Sequence, residues 1–181
     1  MLSTRLKADC VNCCGLCCVA PAFDSSQGFG FDKPARQPCG HLDPHFRCAI
    51  HQVRHAHGFP GCASFDCYGA GQRVTQLFQG RTWRDSEELG RRMFDAYARY
   101  RELHELMALL EVAIAAAPDA KQTELRSCLS SIEQLCATGA ALEGSIRVSE
   151  LRAAVLARAR AVLNVPRSDG ATSPAPDRTP S

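Results

Sequence analysis

The stretch DCVNCCGLCCV, residues 9–19, places five cysteines within nine consecutive positions. Disulfide pairing, metal ligation and thiol redox chemistry are the three uses of such density. The distribution separates them. Of eleven cysteines, nine lie between Cys10 and Cys67, and Cys128 and Cys136 lie beyond. An odd total argues against a fully paired disulfide framework. The opening MLSTRLKADC lacks the apolar core of a secretory signal, so the expected compartment is the reducing cytoplasm, where thiols outlast disulfides. A C-x-x-C step also fits a thioredoxin-like redox motif, but that motif follows a buried strand, and no apolar strand precedes Cys10. Metal ligation is the expected answer.

The spacing supports it. Cys10-x2-Cys13-x3-Cys17-Cys18 is followed by Cys39, Cys48, Cys62 and Cys67. A C-x2-C step lets two thiolates reach one ion while backbone N–H groups point at the sulfurs. Gly15 sits where the tight turn needs positive φ. Adjacent Cys17 and Cys18 are poorly placed to chelate one ion, so they face different sites or share a cluster. With Cys14 set aside, the candidate ligands are Cys10, Cys13, Cys17, Cys18, Cys39, Cys48, Cys62 and Cys67. They divide into two sets of four: two tetrathiolate sites, or one iron–sulfur cluster plus a Zn2+ site. Five histidines crowd the same region. Cys48, His51 and His55 share one face of a short helix expected in CAIHQVRHAHG, with Gly58 as its stop, so His51 could replace a thiolate.

Three regions follow from the patterning: a Cys-rich metal-binding lobe over 1–84, a helical region over 85–164, and a tail over 165–181 expected to be disordered. In the helical region Leu89, Met93, Tyr97, Tyr100, Leu103, Met107, Leu110 and Ile114 recur every three or four residues. They predict one long amphipathic helix, capped at Asp85 or Ser86 and ending near Pro118. A second helix is expected from Asp119 to a stop at Gly139, with Leu125, Cys128, Leu129, Ile132, Leu135 and Cys136 on its apolar side. A third begins near Ser149, with Val155 and Val162 on its stripe. The fold class is therefore mostly α: an irregular Cys-rich lobe followed by an antiparallel three-helix unit. Cys128 and Cys136 read as buried small hydrophobes. YGAGQRVTQLFQGRTW, residues 68–83, reads as a short hairpin with its turn near Gly80, and Gly69-Ala-Gly71 as an ordinary turn rather than a phosphate loop.

The run CVNCCGLCC, followed by PCGHL, CAIHQVR and GCASFDC, resembles the YkgJ-type cysteine-cluster family of zinc- or iron-chelating proteins. Cys10, Cys13, Gly15, Cys17, Cys18, Cys39, Leu42, Cys48, Ile50, Arg54, Cys62, Phe65 and Cys67 match its pattern, over roughly residues 8 to 68. His51 stands where that family has Tyr and His55 where it has Pro, and HAHGFPG carries a short insertion. The segment is also similar to the Cys-rich front of some bacterial pentapeptide-repeat proteins, but no five-residue repeat follows. A flagellin lysine methylase is similar and carries an iron–sulfur cluster, so the resemblance implies an iron–sulfur protein.

The primary functional expectation is a protein with a mainly structural metal and a helical surface for a protein partner. The alternatives are an iron–sulfur-dependent enzyme modifying a protein side chain, with His41, His51, Asp43 and Asp66 as its acid–base candidates, and a metal or redox sensor using Cys14 as a spare thiol. A net charge of +2 forces neither a membrane nor a nucleic-acid partner, and nucleic acid is further disfavoured by 7% aromatic content and scattered basic residues. Arg81, Arg84, Arg91 and Arg92 read as a solvated face.

Overall fold

The structure, a computed structural model, describes residues 2–142 and 147–163. It is mostly α, with six helices and, among the described residues, no β-strand. Isolated antiparallel bridges join Phe23 to Lys33 and Leu42 to Cys48. The expected disorder over 165–181 lies outside the described residues.

The Cys-rich region holds three short helices: α1 (Leu16–Val19), α2 (Pro60–Ser64) and α3 (Ala70–Leu77). Three longer ones follow: α4 (Glu87–Ala116), α5 (Asp119–Thr138) and α6 (Val148–Leu163). The α4 N-terminus is capped by Ser86, whose hydroxyl accepts from the Leu89 N–H at 3.2 Å. Asp85, the other candidate cap, instead bonds the Thr82 N–H and hydroxyl. Every residue of the predicted α4 stripe is buried, and so are Phe94, Ala96, His104 and Leu106, because α4 is packed on several sides at once. Gly139 ends α5 in the left-handed conformation, as expected.

The polar contacts fix the directions. Tyr100 on α4 donates to the Cys136 carbonyl of α5, and Gln122 of α5 donates to the Ala117 carbonyl just past the end of α4. Lys121 reaches the Val162 carbonyl of α6 and Arg158 pairs with Glu124. Each helix thus runs antiparallel to the one before it. Cys136 is buried, whereas Cys128 is half-buried near the Arg158 guanidinium.

Two local expectations are corrected. Residues 70–77 form α3 rather than one arm of a hairpin; Ala70, Gly71 and Val74 are buried there against α4. A two-stranded ribbon would have no second layer to cover that face. The segment after Cys48 is a run of turns rather than a helix. Its start is drawn into the Leu42–Cys48 bridge and the Ala49-to-His41 backbone bond, and residues 51–57 are almost all exposed, so no apolar face holds a helix there.

The front region also has a share in the core. Leu6, Leu16, Val19 and Val74 belong to the same buried cluster as Met93, Tyr97, Tyr100 and Leu103. Arg84 joins the two parts: it donates to the Pro44 and Asp43 carbonyls and stacks over Phe46 and Trp83. It nonetheless stays exposed, as do Arg81, Arg91 and Arg92, on the solvated face expected of them. No described helix is long and apolar enough to cross a membrane.

Candidate metal centre

The Cys10–Val19 loop is shaped by its own backbone needs. Asp9 caps a turn through Cys10–Asn12, accepting from the Val11 and Asn12 amides. Gly15 has φ +72°, and a Cβ there would lie 2.8 Å from a Leu42 methyl, so both conformation and space call for glycine. From Gly15 the chain enters α1, which carries Cys17 and Cys18. The Arg47 guanidinium binds the loop from outside, donating to the carbonyls of Cys10, Val11 and Cys13.

Four thiols from three separate segments face one small cavity. Cys10 and Cys13 from the loop, Cys17 from α1 and Cys67 from just before α3 line a cavity of about 20 Å³ together with Tyr97, Gly71, Gln72 and Asp9. A cavity of that size accepts a single ion or water. Sulfur and backbone are in close contact here: a Cβ on Gly71 would stand 2.7 Å from the Cys13 sulfur.

A second, larger cavity of about 280 Å³ adjoins it. Seven cysteines line it: the same four together with Cys18, Cys48 and Cys62. Phe23, Phe29, Phe46 and Phe65 form apolar wall, and Arg54, His51 and Asp66 are the ionisable side chains on it. Cys39, the eighth predicted ligand, is buried and does not line this cavity. Its amide bonds the Cys18 carbonyl at 2.9 Å, and its thiol lies within electrostatic reach of Cys48 and Cys62. Cys10, Cys13, Cys17 and Cys67 line both cavities, Cys18, Cys48 and Cys62 line the larger one, and the Cys17 and Cys18 sulfurs are 3.8 Å apart. Among the described residues, no three His, Cys, Asp or Glu side chains are gathered tightly enough to form a ready metal cage. Ligation requires the sulfurs to close in from the cavity walls.

Backbone amides are aimed at the sulfurs. Cys13 accepts from the amides of Gly15 and Leu16, Cys67 from Gly69 and Gly71, Cys48 from Ile50, and Cys39 from His41 at 3.4 Å. These bonds favour thiolate and oppose burial, which favours thiol. Burial wins at Cys13, pushed up to about 12, and at Cys62, pushed up to about 11. Its contacts with the Cys17 and Cys48 sulfurs, together with burial, push the Cys18 thiol up. The same contacts lower Cys17, and lower Cys48 to about 6.

Positive charge is held close by. Arg54 donates to the Cys62 carbonyl at 2.9 Å, while its buried Nε has no partner. The Lys33 ammonium is ringed by the carbonyls of Val19, Pro21, Pro34 and Gln37 and faces Cys39 and Cys18. Each is suited to offset a tetrathiolate, whose charge exceeds that of a divalent ion.

Other candidates are placed elsewhere. Cys14 is buried in the core, where its sulfur accepts from the Thr75 hydroxyl. Of the histidines only His51 lines the cavity; His41 packs edge-on against Phe59. Asp43 accepts from the amides of His45 and Arg47, and Asp66 from that of Tyr68, so both act as turn carboxylates. Gly69 and Gly71 do open a helix, α3, and their amides pull the Cys67 thiol down against its burial. Sequence reasoning gave Tyr97 and Gly71 no part in the site; each contributes to it through tertiary packing alone.

No family model matches the chain, and no solved structure matches it. It is similar to the uncharacterized protein YybG of Bacillus subtilis (strain 168), with 38% identity over 154 residues, which is 83% of this chain and 54% of that protein. The chain therefore spans about half the length of that curated relative.

Proposed function

We propose that the protein is a metal-binding cysteine-cluster protein whose two thiolate quartets hold soft metal, as iron–sulfur or zinc, in a mainly structural role. The observation that carries this reading is the convergence of Cys10, Cys13, Cys17 and Cys67 on one ion-sized cavity, with backbone amides directed at Cys13 and Cys67. Dense thiolate sets select zinc, copper(I) or iron–sulfur over hard cations. Of the second quartet, Cys18, Cys39, Cys48 and Cys62, all but Cys39 line the larger space, where a cluster has more room. The motif resemblance to the YkgJ-type family points the same way. A bound metal supplies cross-linking between segments distant in sequence, and its binding free energy becomes folding free energy. The cytoplasm, where thiols stay reduced, is the compartment that suits it. The face of α4 bearing exposed Leu109 and Val112 is the helical surface this reading offers a protein partner.

One observation favours a second reading, an iron–sulfur-dependent enzyme acting on a protein side chain: Arg54, His51 and Asp66 share the larger cavity with the thiols and four phenylalanines. A metal or redox sensor relying on Cys14 has less support, since that thiol is buried and engaged by Thr75.

Metal analysis and a visible spectrum of protein purified without oxygen test the proposal. Iron with acid-labile sulfide and visible absorption identifies a cluster; a colourless protein containing zinc identifies tetrathiolate zinc. Protein without metal and with intact disulfides overturns the proposal.

A further inference from the structure

We propose that the Tyr97 hydroxyl donates a hydrogen bond to a metal-bound sulfur of the Cys10, Cys13, Cys17, Cys67 quartet, making α4 the outer support of that centre. The inference rests on the two-quartet reading above.

Tyr97 is 2% exposed, and its hydroxyl has no hydrogen-bond partner within the protein. A buried hydroxyl left in that condition is costly, and most such groups are satisfied. The same helix satisfies its other buried phenol: Tyr100 donates to the Cys136 carbonyl at 3.2 Å. Tyr97 faces the small cavity, where the other polar side chains are already committed. Gln72 accepts from the Asp9 amide and donates to the Lys7 carbonyl. Asp9 accepts from Val11 and Asn12. Besides one unused lone pair of the Asp9 carboxylate, the acceptors on that wall are the four sulfurs, of which Cys17, Cys67 and Cys13 lie within electrostatic reach of the phenol. A thiol is a weak acceptor, whereas a thiolate held by a metal is a strong one. When the sulfurs close on an ion, the hydroxyl gains the partner it lacks. Donors of this kind orient metal ligands and lower the electron density on sulfur. Tyr97 is thus a positioning residue.

The test compares Tyr97→Phe with Tyr100→Phe in the full chain, using cobalt(II) as the spectroscopic probe. Tyr97→Phe should still bind cobalt, with about 10–100-fold weaker affinity. Its thiolate-to-cobalt charge-transfer band should move to lower energy, because a sulfur without its hydrogen bond gives up charge more readily. Tyr100→Phe should leave the band in place. An unchanged band and affinity in Tyr97→Phe, together with a gain in thermal stability, would show that the hydroxyl was merely an orphan or bonded to water, and would overturn the proposal. If the variant does not fold, the unmutated chain decides. Loaded with cadmium(II), it should show a slowly exchanging tyrosine hydroxyl proton that is lost on metal removal, and equal exchange with and without cadmium sinks the idea. Failure of the unmutated chain to bind any metal would overturn the quartets themselves. Normal binding with an unaffected Tyr97→Phe overturns only the role given to Tyr97.

Discussion

The Cys17 sulfur lies 3.8 Å from that of Cys18, yet of the two only Cys17 reaches the small cavity. Successive side chains on a helical turn point about 100° apart, so such a pair is suited to serving two neighbouring centres. Cys17→Ser should therefore deplete metal from both quartets, and Cys18→Ser chiefly from the one containing Cys48 and Cys62. Cys14→Ser should leave the metal content unchanged. Metal-to-protein ratios of the three variants check this ordering.

Gly71 of α3 lies against the Cys13 sulfur. A methyl group there would press on Cys13 at 2.7 Å, whereas a methyl on Gly40 would meet nothing within 4 Å. Gly71→Ala is expected to cost about 1–3 kcal/mol through overpacking and to weaken metal retention. Gly40→Ala should stay within about 0.5 kcal/mol of the parent. Thermal denaturation and chelator competition measure the two effects.

Leu16 precedes Cys17 and is fully buried in the core that α4 shares with the front region. Leu16→Ala should destabilise the chain by about 2–5 kcal/mol. Because one core serves both regions, the loss should appear as one shifted transition followed by circular dichroism. Two transitions, with the helical one unmoved, would mean that the regions fold independently.

Metal affinity should rise with pH. Burial holds Cys13 near 12 and Cys62 near 11, so ligation of these sulfurs displaces protons at neutral pH. Calorimetry of zinc binding in buffers of different ionisation enthalpy should detect that proton release. Without metal the sign for folding is reversed. A thiol raised above its ordinary value of 9.0 contributes stability that is full below that pH and is lost as pH climbs toward about 12. Alkaline denaturation of the chelator-treated protein should therefore begin above pH 9. The metal-loaded protein should resist it.

The long helices were legible because their evidence is local. Leu89 through Ile114 repeat at the period of one helical face, and Ser86, Pro118 and Gly139 punctuate the chain where α4 and α5 begin and end. The helix α3 was hidden because its glycines look like turn residues until the sulfurs that need that space are seen. The helix expected after Cys48 fails for the opposite reason: its local pattern is sound, but nothing covers the face it would present.

Thiol type and count mark eight cysteines as candidate ligands in the sequence, since ligand chemistry is a property of composition. Which of them face a common space is not legible there, because Cys10 and Cys67 are separated by most of the front region and line one cavity only when α1, α3 and α4 pack. The same packing buries the Tyr97 hydroxyl beside them. Residue identity carries chemistry along the chain, whereas the grouping of sulfurs round a point depends on where an apolar core brings distant segments to rest.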